Sequence, residues 1–438
     1  MLRGFKYIVL LAVTVVFLTG CGQEKKEEEY VQETVEEVFQ GMCGTEANIC
    51  YEPVTQKPNI SVNMIGYESD EKKMAIFKTE GLARYFYLLD VDTNETVYRG
   101  MIEEPVYNVL MNAYISTGDF SSVTKEGKYI VYTDFIGESY PFEIKNKVKS
   151  TLFTTGLQEF CMKIDDYMNK PYVKNSFFKK AEMLNYMLLS YSLYPKSYAD
   201  GVVTDSANEI PDILDETKKV IEWCREVQTS GMSANDRMAF IGLLAKFSQV
   251  YKPYDNAYAN TCRKDAEEFY KEAVKSGAEK ADTQIAYYAS SVLYHLTGYV
   301  KYRSALYEVM DSEKYTHDNW DYAFLAEMNY LIGKKNVDIE RCNVIMRNLM
   351  AYAEEITSTS GNDALGIASY KPESILRKMR YLVIANYVLE SNEYREILRN
   401  HYTYLAGVNV AGENSLKALQ EKDKVLFLFM LADMNENI

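Results

Sequence analysis

The chain has 438 residues, of which 47% are hydrophobic and 25% are charged, a composition typical of a folded protein with two or three domains. Its formal charge of −15 excludes the basic footprint that nucleic-acid binding requires. Only three histidines occur, and no phosphate loop, Gly-x-Ser-x-Gly elbow or His-Glu-x-x-His motif is present. We therefore predict no cofactor, no metal site and no nucleic-acid partner.

The N-terminus carries a targeting pattern. Arg3 and Lys6 precede an apolar run that is too short to span a bilayer comfortably, and the run ends in Leu-Thr-Gly followed by Cys21. This pattern is typical of a bacterial lipoprotein signal peptide over residues 1–20, with lipid attached to the Cys21 thiol; a plain secretory signal or a membrane anchor is the alternative. A lipid with two or more chains holds a protein at a membrane stably. We expect an extracytoplasmic protein anchored to the bacterial cell membrane.

Residues 21–57 are rich in charge and poor in hydrophobic residues, which predicts a flexible, largely disordered tether with room for a short helix over 31–39. Cys43 and Cys50 lie close together in this tether and could pair outside the cell, but the sequence leaves their pairing open. The other four cysteines fall in helical patterns and are expected to behave as small apolar groups: Cys161, Cys224, Cys262 and Cys342.

Residues 58–146 contain about seven short segments rich in β-branched and aromatic residues, separated by turn sequences such as Asp-Thr-Asn, Thr-Gly-Asp and Glu-Gly. Seven short strands in about ninety residues indicate an immunoglobulin-like β-sandwich. A sugar-binding sandwich would have the same pattern, and the sequence does not separate the two.

From residue 150 to residue 438, glycine and proline become sparse and the hydrophobic period is helical throughout. About twelve helices are predicted, with connections short enough to make neighbours antiparallel. Twelve helices in six hairpins correspond to an (α/α)6 toroid. An α-solenoid would have a similar number of helices, but no side-chain signature repeats at a fixed period. The predicted fold class is therefore a multidomain β plus all-α chain.

One helix start is distinctive. Residues 208–216 read Asn-Glu-Ile-Pro-Asp-Ile-Leu-Asp-Glu, with proline in the first turn and acidic residues at the positive end of the helix dipole. A Tyr-Pro helix end and an Asp-Gly loop precede this segment, and Trp223 and Gln228 follow it. This order of landmarks resembles glycoside hydrolase family 9, the inverting cellulases.

The resemblance covers roughly residues 60–435. In residues 58–146 it is to the N-terminal immunoglobulin-like domain of that family, which implies a domain that buttresses the catalytic one. In the helical part it implies the toroid. The further matching segments are 62–67, 119–122, 126–129, 139–144, 294–298, 319–321 and 402–409.

The chemistry that the resemblance implies needs two carboxyl groups on opposite sides of a glycosidic bond, about 6.5–9.5 Å apart. The family supplies the base from an Asp-Ala-Gly-Asp loop before the second toroid helix, but the matching segment here, 165–175, lacks that motif. The family supplies the acid from an Asn-Glu pair before the last helix, and the matching segment contains only Glu413 and Glu421, without that pair. The family's His-His-Arg motif is also absent from this region.

These absences favour a cell-surface lipoprotein that resembles family 9 cellulases but is non-catalytic, and that binds a polysaccharide or a cell-surface partner. The alternative is an active, inverting, endo-β-glucanase-like enzyme with a rebuilt carboxyl pair, for which Asp166 and Glu421 are the candidates. A solvated surface role is the competing interpretation of Asp166, and a first-turn charge on the closing helix is that of Glu421. A purely structural envelope protein is the third hypothesis.

Overall fold

The structure is a computed structural model. The predicted signal peptide, the tether up to residue 56, the lipidation site Cys21 and the pair Cys43 and Cys50 lie outside the residues it describes. Within the described part of the chain, no helix is long and apolar enough to cross a bilayer. The described residues are 57–78, 83–108, 112–134, 136–203, 207–227, 231–276, 280–312, 321–333 and 335–436.

The N-terminal domain is a sandwich of two antiparallel sheets, which confirms the predicted immunoglobulin-like fold. The first sheet has the order β1-β2-β6-β5, and the second has the order β4-β3-β7-β8 with β9 also paired to β7. Strands β5 and β8 were not distinguished in the sequence, because two or three residues are too few to establish an alternation. The strands are β1 (Ile60–Ser61), β2 (Met74–Phe77), β3 (Tyr85–Asp90), β4 (Thr96–Met101), β5 (Val106–Asn108), β6 (Ala113–Asp119), β7 (Gly127–Thr133), β8 (Gly137–Glu138) and β9 (Phe142–Ile144).

Aromatic side chains fill the space between the two sheets. Phe77 of the first sheet meets Phe86 of the second with ring centroids 5.4 Å apart, and Tyr67 makes edge contacts with Phe120 and Phe142 at 5.2 Å. All five rings are buried. This core follows from the period of two in each strand, which sends alternate side chains to the inner faces.

The described part of the C-terminal domain contains twelve α-helices in an (α/α)6 toroid, as predicted. Even-numbered helices form the inner ring, and odd-numbered helices pack outside them. They are α1 (Val148–Met168), α2 (Phe177–Leu193), α3 (Asp212–Glu226), α4 (Ala234–Tyr251), α5 (Asn256–Ser276), α6 (Thr283–Thr297), α7 (Val300–Met310), α8 (Asp321–Leu331), α9 (Ile339–Gly361), α10 (Pro372–Val388), α11 (Asn392–Leu405) and α12 (Glu421–Glu436).

Side-chain patterning decides which helices lie inside. The inner helix α4 buries residues on all sides, whereas the outer helix α3 buries one stripe and leaves its other face to solvent. A helix that is apolar all round is stable only when neighbours surround it. Three of the cysteines predicted to be small apolar groups, Cys161, Cys224 and Cys262, are buried, and Cys342 is half-buried.

The distinctive proline segment begins α3, but Pro211 lies at the N-cap, one position before the helix. The carboxylate of the next residue, Asp212, is buried and accepts the backbone N–H groups of Gly201, Val202 and Val203 at 2.6–3.1 Å. Asp212 therefore fixes the Asp-Gly loop as well as interacting with the helix dipole.

The sandwich packs on the toroid through its first sheet. Ile76 and Ile115 of that sheet form an apolar cluster with Val408 of the toroid, and the Met64 N–H donates to the Ala406 carbonyl at 2.9 Å. At the start of α1, the buried Lys149 makes an ion pair with Glu71 of the sandwich. The outward face of the second sheet therefore lies on the side of the sandwich away from the toroid.

Candidate functional site at the mouth of the helical ring

All six inner helices run in the same direction, because each follows an outer helix that runs the opposite way. Their N-termini therefore meet at one end of the ring, which we call the mouth. Six aligned N-termini concentrate positive potential there and favour negatively charged side chains. The connections before α2 and α12, residues 169–176 and 406–420, also lie at this end, and they hold most of the two segments that match the family's base and acid segments.

Charged side chains from four inner helices meet at the mouth in a network made of Glu182, Asp321, Arg380 and Lys422, which we call the mouth network. Arg380 of α10 makes an ion pair with Asp321 of α8. Lys422 of α12 contacts Asp321 and also contacts a carboxylate oxygen of Glu182 of α2, the latter at 2.9 Å. A single ammonium group thus bridges the two acids.

The ring is filled with side chains directly beneath the mouth network. The Arg380 guanidinium donates to the Tyr186 hydroxyl at 2.7 Å and lies over the Phe324 ring, 4.5 Å from its centroid. Tyr186 and Phe324 stack with centroids 5.9 Å apart, and Tyr381 contacts the edge of Phe324 at 5.0 Å. The network is therefore the floor of the mouth.

The members of the mouth network differ in solvent exposure. The Arg380 side chain is 2% exposed, Asp321 and Glu182 are 11% and 12% exposed, and Lys422 is 32% exposed. Lys422 is thus the member that most contacts solvent. Burial raises the pKa of Glu182, against the opposing charge of Lys422. Burial also acts on Asp321, but the charges of Arg380 and Lys422 outweigh it and lower the pKa of Asp321.

The segment 169–176 contains no acid, and its charged residues are Lys170 and Lys174. The two acids of the matching segment 165–175, Asp165 and Asp166, lie in the last turn of α1. The buried carboxylate of Asp236, in the first turn of the neighbouring inner helix α4, holds the segment in place. It accepts the Tyr172 hydroxyl at 2.7 Å and the Asn175 N–H at 2.6 Å. A carboxylate with this many donors serves as a structural anchor for the segment.

The segment 406–420 turns toward the sandwich. Gly407 has φ +128°, and a Cβ there would lie 2.7 Å from the Val62 carbonyl oxygen, so the close contact between the domains requires glycine. The Asn409 side chain donates to the Glu413 carbonyl at 2.8 Å, and the Glu413 carboxylate makes an ion pair with Lys57. Glu413 is therefore held at the domain junction.

The two predicted catalytic candidates lie in different surroundings. Asp166 is exposed in the last turn of the outer helix α1, and among the described residues it has no hydrogen bond or ion pair. Glu421 is in the first turn of α12, where it pairs with Lys180 at 2.5 Å and is 47% exposed. The structure does not join them by any contact, and their catalytic role stays a prediction.

Sequence reasoning missed Glu182 and Lys422, and it treated Asp321 only as part of a Trp-Asp landmark. A signal for Glu182 was present, since it lies between Ala181 and Met183 at the start of the buried part of α2, where an acidic residue is unusual without a partner. Its partner Lys422 was not predictable, because Glu182 is on the first inner helix of the ring and Lys422 is on the last, at opposite ends of the toroid sequence.

Comparisons with known proteins agree with this architecture. The family described as "Cellulase N-terminal ig-like domain" matches residues 55–138. A xyloglucan-specific endo-β-1,4-glucanase of Bacteroides ovatus is 32% identical over 101 residues, and the match covers 23% of this chain and only 17% of that protein.

Solved structures extend the likeness to both domains. A metagenome-derived family 9 endoglucanase matches with a TM-score of 0.68 and 17% identity, over 82% of this chain and 85% of that one. The Bacteroides ovatus family 9 protein matches with a TM-score of 0.66 and 17% identity, over 81% of this chain and 85% of that one. A thermostable endoglucanase of Alicyclobacillus acidocaldarius matches with a TM-score of 0.65 and 16% identity, over 82% of this chain and 84% of that one. The chain therefore has the two-domain fold of family 9 glycoside hydrolases, with a cellulase-type immunoglobulin-like domain at its N-terminus.

Proposed function

We propose that this protein is a non-catalytic, membrane-anchored relative of family 9 endoglucanases that binds a polysaccharide at the cell surface. The observation that carries the proposal is the position of Lys422, whose ammonium group lies between the two acids of the mouth network. Hydrolysis of a glycosidic bond requires two carboxyl groups with the sugar bond between them. Here an internal cation lies between Glu182 and Asp321 instead.

The spacing of the two acids supports the same proposal. Two oxygen atoms that contact one nitrogen are no more than about 6 Å apart. The inverting reaction needs about 6.5–9.5 Å between carboxyl groups to admit a water molecule. The two carboxylate oxygens of Glu182 and Asp321 that contact the Lys422 ammonium are closer together than that. In the segment that matches the family's base loop, the acids Asp165 and Asp166 belong to the last turn of the outer helix α1. In the segment that matches the family's acid, Glu413 is paired at the domain junction and Glu421 is paired with Lys180.

One observation favours the alternative of an active hydrolase. Glu182 and Asp321 have pKa values shifted in opposite directions, raised for Glu182 and lowered for Asp321. Such a pair is what an acid and a base of a hydrolase would show. Glu182 would be the proton donor and Asp321 the charged partner, provided that Lys422 moved aside.

A glucan panel tests these two proposals. The similar proteins are described as endoglucanases, and one as xyloglucan-specific, so the panel should include xyloglucan and unbranched β-glucans. We expect the mature chain to bind at least one of them, as measured by retardation in glucan-containing native gels. We also expect it to release no more reducing sugar than its Glu182→Gln and Asp321→Asn variants do.

Turnover would support the hydrolase instead. In that case removal of the responsible carboxyl should lower the rate at least about 100-fold. Loss of hydrolysis in Glu182→Gln or Asp321→Asn would assign the catalytic carboxyl groups to the mouth network. Loss of hydrolysis in Asp166→Asn or Glu421→Gln would assign them to the pair predicted from the sequence. Glu354→Gln, at an exposed position of α9, is the matched control. A chain that neither binds nor cleaves any glucan would contradict both proposals.

The lipid anchor on Cys21 has its own test. We expect the full chain, produced in a bacterium, to sediment with the membrane fraction and to enter the detergent phase on phase separation. The Cys21→Ser variant lacks the thiol that carries the lipid and should leave the detergent phase. Cys43→Ser is the control, because it removes a neighbouring thiol and leaves the lipidation site intact. Equal partitioning of the Cys21→Ser variant and the unmodified sequence would contradict lipidation.

A further inference from the structure

The second sheet of the sandwich presents an aromatic surface on its outward side. It is formed by Tyr85 and Tyr87 of β3, Arg99 of β4 and Tyr132 of β7, which we call the tyrosine face. In β3 and β7 these tyrosines alternate with Phe86, Leu88 and Val131, which are buried in the core. The period of two therefore places the tyrosines outward, half-buried, on the side away from the toroid.

The rings of the tyrosine face are arranged across neighbouring strands. Tyr87 lies directly opposite Tyr132 in the β3–β7 pair and opposite Arg99 in the β3–β4 pair. The Tyr87 and Tyr132 rings are 6.4 Å apart and inclined by only 34°. The Arg99 guanidinium lies 3.9 Å from the Tyr85 ring centroid, which is stacking distance. Arg84 lies farther from the same ring, at 5.9 Å, and the result is a shallow row of rings with the Arg99 guanidinium stacked at one end.

Arg99 provides an available polar group beside these rings. Among the described residues, no ion pair or hydrogen bond engages the Arg99 side chain, which is exposed. The Tyr132 hydroxyl donates a hydrogen bond of 3.3 Å to Asp134. Ring faces with nearby N–H and O–H donors suit a ligand that has flat C–H surfaces and many hydroxyl groups. A pyranose chain has both.

We propose that the tyrosine face binds an extended, neutral β-linked glucan chain by stacking sugar rings on Tyr87 and Tyr132. This inference rests on the proposed glycan-binding function and locates it outside the mouth. The area of the face favours this occupant over a second copy of the chain. Three half-buried tyrosines and one arginine offer a few hundred Å², well below the roughly 800 Å² per partner of a stable protein interface.

A second exposed tyrosine pair provides an internal comparison. Tyr107 of β5 and Tyr114 of β6 are 45% and 47% exposed, with rings 5.1 Å apart. Their planes are inclined by 56°, and the Tyr107 hydroxyl is occupied by Asn112. Tilted rings at a sheet edge do not make a flat row, so this pair should not stack an extended chain.

The test compares the mature chain with the paired variants Tyr87→Ala/Tyr132→Ala and Tyr107→Ala/Tyr114→Ala. The probe is hydroxyethyl cellulose in native affinity gels, with starch as the non-extended glucan and polygalacturonate as the acidic one. We expect the first pair to weaken binding to hydroxyethyl cellulose at least tenfold and the second pair to leave it within twofold. Tyr87→Phe should retain binding, because stacking uses the ring. Thermal melting verifies that each variant is folded.

Three outcomes would overturn the inference: undiminished binding by folded Tyr87→Ala/Tyr132→Ala, equal loss in both pairs, or stronger binding to starch than to hydroxyethyl cellulose. If the tyrosine variants bind normally while Glu182→Gln or Asp321→Asn abolishes binding, the proposed function stands and the inference that the tyrosine face binds the glucan is wrong. If the unsubstituted chain binds no glucan at all, both fail. A change in oligomeric state with the first pair would assign the face to a second copy instead.

Discussion

Replacing Arg380 with methionine should lower the free energy of unfolding by about 3 kcal/mol, at the lower end of what breaking a buried ion pair costs. The Arg380 guanidinium is almost completely buried and contacts both Asp321 and the Tyr186 hydroxyl. Without it, the Asp321 carboxylate stays in the ring with Lys422 as its remaining cation. Methionine fills much of the same volume, so the decrease in the free energy of unfolding measures the removal of the charge and not the creation of a cavity.

Chemical denaturation at pH 7 measures this effect, and Lys378→Met is the matched control. Lys378 is on the same helix but pairs with Glu355 at 3.6 Å at the surface, so its loss should cost less than about 1 kcal/mol. Asp321→Asn combined with Arg380→Met should cost less than the two single losses added together, because the double variant leaves no unpaired charge. An unchanged unfolding midpoint for Arg380→Met would contradict the network described for the mouth.

Acid should destabilise the toroid through His401, by about 3 kcal/mol between pH 6.5 and pH 4. His401 is fully buried on α11; its Nδ1–H donates to the Ile397 carbonyl at 2.7 Å, and its Nε2 accepts the Ala368 N–H at 2.9 Å. A proton on Nε2 would abolish that second bond. Burial lowers the pKa of His401 to about 4. The His401 imidazole therefore stays neutral in the folded protein, whereas in the unfolded chain it takes up a proton below pH 6.5. The free energy of unfolding falls as the pH is lowered toward 4.

The measurement is urea denaturation of the protein and of His401→Gln at pH 7 and pH 5. The difference in stability between the two proteins should shrink by about 2 kcal/mol on going from pH 7 to pH 5, since glutamine does not titrate. Carboxylates that titrate in both proteins cancel in this difference. A histidine NMR titration that placed the His401 pKa near 6.5 would contradict the prediction, as would equal pH dependence of the two proteins.

The mouth network carries the functional interpretation because it occupies the floor of the ring with internal charge pairs. Such a network gives the ring a defined interior. If the protein is non-catalytic, as we propose, the network contributes to packing and not to turnover. The tyrosine face then becomes the surface on which a glucan is expected to bind.

The sequence by itself determined the two-domain order, the sandwich and the ring of helices. Those features depend on local periods of two and 3.6 residues and on turn residues, which can be read along a single chain. It also determined that the chain has no Asp-Ala-Gly-Asp and that the segment before the last helix has no Asn-Glu pair, because a missing motif can be seen without coordinates. The predictions of a lipid on Cys21 and of catalytic roles for Asp166 and Glu421 remain to be tested.

Only the tertiary structure decided which charges meet. Glu182, Asp321 and Lys422 belong to three helices that are far apart in the chain, and ring closure alone brings them within contact of one another. The same holds for Asp212, whose sequence position indicates a charge at a helix start while the structure has it binding a loop. Electrostatic partners depend on distance in space, and local patterning carries no record of that distance.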